Sequence, residues 1–286
     1  LALLSLTVSA VASWTDLHSY LVASDGTYSL GNPNAATNST RDQGTKILFF
    51  NPTDGDSAAG EVYWWNGDSI VDSDGNSRNA QGEAYGADPL LPNESAIKAF
   101  GPLKGMGDDD RILPHYHRHA TVGYPDWFLL RRGETFDTVD INLWGGRNED
   151  EPMVVAAYGP LPDGRAVLTG EGGNGLGSHT HGKDTVVFHQ ILSGLELHSG
   201  LGHLGMHSYC ISRGSPGVPT WLIEDCKIIN GQMNYLPIRT TFRRGVSCFR
   251  WKTDSHNQGY FTSSFSAAPT FEEAIFYKNG YKVDPK

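Results

Sequence analysis

Four segments in the last hundred residues share one pattern, and that pattern narrows the folds open to the chain. Ile191–Leu197 (ILSGLEL), Ile223–Ile229 (IEDCKII), Phe242–Cys248 (FRRGVSC) and Phe271–Tyr277 (FEEAIFY) each open on a large apolar residue. Each places a small residue three positions later, at Gly194, Cys226, Gly245 and Ala274, and closes on an apolar or β-branched run. The starts lie 19 to 32 residues apart. Strand-like units of this length suit a stacked solenoid, in which one short strand per turn buries its apolar side chains only against its neighbours. The expectation is that residues 194, 226, 245 and 274 sit one above another.

Upstream segments extend the pattern. Asp126–Gly133 (DWFLLRRG) and Pro152–Gly159 (PMVVAAYG) are continuous apolar runs closed by glycine, as in strands buried on both faces. Ala166–Gly170 and Thr185–Phe188 follow. The Asp126–Gly133 and Pro152–Gly159 runs resemble the first coils of right-handed parallel β-helix proteins of the pectate-lyase-like superfamily. Ile223–Cys226, Phe242–Gly245 and Phe271–Ala274 resemble the later coils, and Thr253–Tyr260 (TDSHNQGY) resembles a loop recurrent in bacterial secreted members. The resemblance covers residues 124–286. It implies an all-β fold, a single-stranded right-handed parallel β-helix behind an irregular N-terminal region. It also implies a secreted, periplasmic or cell-surface protein acting on an acidic polysaccharide as lyase, hydrolase or epimerase. The superfamily includes adhesins and phage spikes as well, so the fold does not fix the activity.

Residues 13–123 are polar and rich in Gly, Asp and Asn. Strand-like pieces appear at Lys46–Phe50 and Glu61–Trp65, separated by turn signals, and a short helix is expected over Glu94–Phe100. Leu1–Ala12 (LALLSLTVSAVA) ends in a small-x-small pattern and reads as the remnant of a secretory signal, the rival being a buried first strand. The chain stops at Lys286 shortly after a repeat and without an amphipathic cap, so further coils are expected beyond it. Three cysteines, Cys210, Cys226 and Cys248, make neither a disulfide framework nor a metal spacing. A net charge of −10 argues against a nucleic-acid partner, and no run reaches the roughly 18 apolar residues a membrane helix needs. Asn38 and Asn93 head glycosylation sequons, a short pattern that recurs by chance.

Stacking the repeats would put Glu224 and Asp225, Arg243 and Arg244, and Glu272 and Glu273 at equivalent positions about 4.8 Å apart. Cross-strand charge pairing explains such a ladder structurally. The functional alternative is a groove for an acidic sugar, with arginine on the substrate carboxylate and Glu224, Asp225, Glu272 and Glu273 holding a cation, calcium being the one expected. His256 is the best single candidate for a proton-abstracting residue, with Arg243 or Arg244 as the alternative base and Tyr260 donating to the leaving oxygen. Asp254, Asn257, Gln258 and Arg250 are the accompanying substrate-binding candidates.

Other constellations are weaker. His115, His117 and His119 share one face of an extended chain and His179 and His181 repeat the alternation, but no carboxylate or cysteine stands at ligand spacing. Asp72, Asp74, Asn76 and Glu83 match a calcium-loop spacing, yet Ser77 stands where glycine is needed and the turn reading is the simpler. The leading expectation is thus a secreted β-helix protein that binds an acidic polysaccharide and cleaves it by β-elimination. Its rivals are a non-catalytic adhesin or structural β-helix, and a metal-dependent hydrolase using the 115–119 histidines.

Overall fold

A computed structural model describes residues 16–28, 44–101, 125–137, 141–142, 146–170, 176–177, 189–199, 220–229, 239–245, 247–249, 270–272 and 275–277. Among these, regular structure is almost entirely β. In chain order the strands are β1 (Lys46–Phe50), β2 (Val62–Trp65), β3 (Ile70–Val71), β4 (Trp127–Arg131), β5 (Thr135–Asp137), β6 (Ile141–Asn142), β7 (Met153–Tyr158) and β8 (Ala166–Gly170). They continue as β9 (Leu176–Gly177), β10 (Gln190–Ser193), β11 (Leu195–Ser199), β12 (Thr220–Glu224), β13 (Lys227–Ile229), β14 (Arg239–Arg243), β15 (Ser247–Phe249), β16 (Thr270–Glu272) and β17 (Ile275–Tyr277). Two single 3-10 turns, Leu17–Tyr20 and Leu161–Asp163, complete the inventory. Among the described residues no helix is long and apolar enough to cross a membrane.

The strands form a nine-stranded sheet, ordered β16-β14-β12-β10-β7-β4-β1-β2-β3, and a six-stranded sheet, ordered β17-β15-β13-β11-β8-β5. β6 and β9 make a separate parallel pair. Every pairing in the smaller sheet is parallel, as is every pairing in the larger one from β16 to β1. Only β2 and β3, at one edge, run antiparallel to their neighbours. From β10 onward the chain visits the sheets in strict alternation.

The hand-over between sheets is abrupt: Gly194 alone separates β10 from β11, and Asp225 with Cys226 separates β12 from β13. Gly194, Asp225 and Arg244 all hold left-handed φ, at 71°, 48° and 54°. Backbone bonds carry the ladder through this corner, from Gly194 N–H to the Glu224 carbonyl (3.3 Å) and from Asp225 N–H to the Arg244 carbonyl (3.1 Å). The corner column therefore contains Gly194, Asp225 and Arg244, which corrects the alignment drawn from sequence. Leu192, not Ile191, is the partner of Ile223. Cys226 lies one residue past the corner, fully buried, with its thiol pushed up to about 12 by burial. Gly194 and Cys226 are thus offset by one position: the register is the same on both sides of the corner, with Ser193 opposite Glu224 and Glu196 opposite Lys227, so Cys226 falls opposite Leu195.

Strand alternation sorts the apolar residues into two cores. Phe128, Val155, Leu192, Ile223 and Phe242 from the larger sheet meet Phe136, Leu168, Leu197 and Ile228 from the smaller one in the inner core. The opposite face of the larger sheet offers Ile47, Phe49, Trp127, Leu129, Val154, Ala156 and Ile191 to a second core. Leu17, Tyr85, Ala96 and Ile97 cover it, and Phe49, Tyr63, Tyr85 and Tyr158 pack edge to face within it. Double coverage is why β4 and β7 read as unbroken apolar runs.

The N-terminal strand expectations hold, with β1 and β2 at the anticipated places. The helix expected over Glu94–Phe100 is replaced by one turn that closes on the Asn93 carbonyl. Asn93 Oδ1 accepts from Ser95, then Lys98 N–H bonds to the Tyr63 hydroxyl and Phe100 N–H to the Phe49 carbonyl, so the backbone is drawn onto the sheet instead of continuing as helix. Thr185–Phe188 falls outside the described residues.

The corner geometry is testable with two glycines. A Cβ at Gly194 would lie 3.0 Å from Arg132 Nη2 and 3.2 Å from Ala157 Cβ at φ 71°, whereas one at Gly245 (φ 81°) meets nothing within 4 Å among the described residues. In urea unfolding, Gly245→Ala should cost about 1 kcal/mol, the left-handed penalty alone, and Gly194→Ala about twice that.

Candidate charged corner and groove

The register places Ala156, Ser193, Glu224, Arg243 and Glu272 in one row across β7, β10, β12, β14 and β16. Glu224 is only 1% exposed although the row faces away from the inner core. Two guanidinium groups cover it: Arg244 Nη1 donates to Oε1 at 3.0 Å, and Arg243 Nε lies 3.8 Å from Oε2. A desolvated carboxylate is tolerated only with such charge partners.

The neighbouring corner carries more arginine. Arg165 donates to both the backbone carbonyl and the carboxylate of Asp225. Arg131 bridges Glu94 (2.7 Å) and Asp163 (2.8 Å). Burial pushes the Arg131 guanidinium down, but these carboxylates outweigh it and the net shift is upward. Arg132 donates to the Gly164 carbonyl, and burial lowers its pKa. A belt of ion pairs thus runs along the edge where the larger sheet turns into the smaller.

Beside this belt the outer face of the larger sheet opens into a cavity of about 230 Å³. Ile191, Leu222 and Thr241 come from one outward-facing row, with Tyr20 from the first 3-10 turn, Glu149 from the loop before β7, and Arg243 from β14. Trp221 also lines it, and among the described residues its buried Nε1 has no acceptor. The site therefore combines an apolar floor, an aromatic wall, a hydroxyl and a cation backed by a buried carboxylate, the usual composition of a small-molecule pocket.

Of the residues singled out from sequence, Glu224, Asp225, Arg243, Arg244 and Glu272 do gather at one corner. Their work differs: Arg244 is committed to Glu224, Asp225 to Arg165, and Arg243 alone among them reaches the cavity. Arg250, Asp254, His256, Asn257, Gln258, Tyr260 and Glu273, with the histidines at 115, 117, 119, 179 and 181, lie outside the described residues. Sequence reasoning missed Tyr20, Glu149, Thr241 and Arg165. Thr241 was readable from the exposed row two residues before Arg243; the others come from distant segments without a local signal.

At the Asp72 loop, Asp72 Oδ1 accepts from the backbone N–H groups of Asp74 and Asn76, and Oδ2 from the Tyr85 hydroxyl, while Glu83 accepts from Ser95 Oγ. These are the bonds of a polar turn. They leave Tyr85 raised to about 12, by burial first and by Asp72 second. Among the described residues no group of three His, Cys, Asp or Glu is arranged around a metal position.

No protein-family model, curated protein or solved structure matches this chain.

Two stability measurements probe the charges. Glu224→Ala strands two arginines over a buried site and should cost about 3–5 kcal/mol in urea unfolding, whereas Glu272→Ala, exposed on β16, should stay within about 0.5 kcal/mol. On the smaller sheet, Glu196 accepts from His198 (2.6 Å) and Lys227 (3.0 Å). Burial alone would raise the Glu196 pKa, but these bonds outweigh it and hold the carboxyl below its ordinary range. Its contribution is therefore present above the unfolded carboxyl pKa of about 4.3 and is lost as pH falls through the lower folded value. Glu196→Gln should flatten the acid limb of the stability–pH profile below about pH 5.

Proposed function

We propose that this chain is a secreted right-handed parallel β-helix and that the outer face of its larger sheet binds an acidic polysaccharide, which it cleaves by β-elimination. The helix reading is supported by the alternation of short strands between two parallel sheets. The binding reading is carried by one observation: Arg243 lines an open cavity whose floor is apolar, while the Glu224 carboxylate behind it orients the guanidinium. A uronate ring carries apolar C–H faces and one carboxylate. Leu222 and Ile191 suit the ring, Thr241 its hydroxyls, and the arginine fork its carboxylate.

In β-elimination the C5–H bond breaks, the electron pair forms a C4=C5 double bond, the C4–O bond breaks and the leaving oxygen takes a proton. Pairing of the C5 carboxylate with Arg243 stabilises the carbanion-like charge that develops during proton removal. His256 is the proposed base and Tyr260 the proposed donor, both on the sequence argument. Arg244, engaged with Glu224, is assigned to positioning Arg243 through that shared carboxylate rather than to proton transfer. A divalent cation at Glu224 would have to displace Arg244, and no step here runs through one.

A second reading has its own support. The arginines and carboxylates at the corner satisfy one another, as a purely adhesive or structural β-helix would also require. The two separate on pectate and alginate. Cleavage gives ultraviolet absorbance from unsaturated ends; binding without absorbance favours the adhesin, and neither removes both. Arg243→Ala should weaken binding of an acidic oligosaccharide roughly 10- to 100-fold, the equivalent of one charge-assisted contact.

A further inference from the structure

The cavity is closed on one side by a segment far from it in sequence. Asp16 caps the turn Leu17–Tyr20 by accepting from His18 N–H (3.1 Å), and Leu17 is buried in the outer core. The His18 ring reaches two carboxylates, with Nδ1 3.1 Å from Asp16 Oδ1 and Nε2 2.7 Å from Asp88 Oδ1. Asp88 also accepts from Leu90 N–H, in the strap that covers the larger sheet. Beyond the turn, Val22 N–H donates to Thr45 Oγ1, Thr45 N–H to the Val22 carbonyl and Ser24 N–H to the Trp65 carbonyl. The turn is thus fastened on both sides of Tyr20.

Tyr20 is half-buried: it packs on the outer core and lines the cavity. Among the described residues its hydroxyl makes no hydrogen bond. A ring held by a fastened backbone presents a preformed aromatic surface with little ordering cost on binding. At about 230 Å³ the cavity has room for one sugar ring.

Resting on the reading of this cavity as a sugar subsite, we propose that Tyr20 is the aromatic wall against which a single ring packs, and that His18 is a positioning residue that fixes it by bridging Asp16 and Asp88. Arg243 then selects for charge and Tyr20 for the ring, so the two contribute independently. A neutral sugar uses the tyrosine wall without the arginine.

Calorimetric titration with trigalacturonate and with neutral maltotriose tests this, with the melting temperature measured for every variant. Tyr20→Leu keeps apolar cover over the core and should weaken binding of trigalacturonate roughly tenfold, while Tyr20→Phe stays within about twofold. Where maltotriose binds, Tyr20→Leu weakens it by the same factor. His18→Gln should weaken trigalacturonate several-fold at an unchanged melting temperature; a loss that tracks a fall in melting temperature makes His18 merely structural and overturns its role. Wild-type affinity retained by Tyr20→Leu overturns the wall while leaving the sugar subsite standing, and equal losses in the Leu and Phe variants show that the hydroxyl, not the ring, is the contact. Wild-type protein that binds neither sugar overturns the subsite and the wall together.

Discussion

The structure depends on a backbone constraint at one corner. To pass from the larger sheet to the smaller within one to three residues, the chain adopts left-handed φ and still keeps its backbone hydrogen bonds to the neighbouring segments. Glycine meets that demand at residue 194 without steric penalty. At Asp225 and Arg244 the same conformation costs each residue about 1–2 kcal/mol, offset by the ladder bonds and by ion pairing. The corner is sharply turned and partly buried, and the arginine belt that runs along it supplies the charge partners its carboxylates need.

Double coverage of the larger sheet divides the molecule's labour. Among the described residues its inner face packs against the smaller sheet from β4 to β14, while its outer face is sealed near β1, β4 and β7 and carries the cavity beside β10, β12 and β14. The transition follows one row of side chains, from Trp127 through Val154, Ile191 and Leu222 to Thr241. As cover from the N-terminal segments ends, the residues along this row turn from large and apolar to polar. The cavity sits at that boundary, where apolar floor and charged rim meet.

Much of this architecture was legible in the sequence, and the failures have physical causes. Continuous apolar runs announced β4 and β7 because both faces of those strands are buried. The pairing of Glu224 with the Arg243 row followed from the spacing of the repeats. The first repeat was read one residue out of register because Ile191 and Leu192 are both large and apolar, and each is buried in a different core. The helix at 94–100 had suitable composition but lost to bonds with Tyr63 and Phe49, partners at a distance. Tyr20, Glu149 and Arg165 carried no local signal. Arg165 meets Asp225 across 60 residues of chain, and only the fold brings them together.

The seam between β1 and β4 has a kinetic meaning. Parallel strand pairings such as Glu224 with Arg243 join segments about 20 residues apart, whereas Ile47 meets Trp127 across about 80. Closing the longer span costs roughly 1 kcal/mol more in chain entropy before any pairing rewards it. Pairings among the later strands therefore carry a smaller loop-closure cost than the pairing of β1 with β4. Trp127 and Leu129, buried in the outer core beneath segments from the N-terminal part of the chain, depend for their shielding on that longer closure.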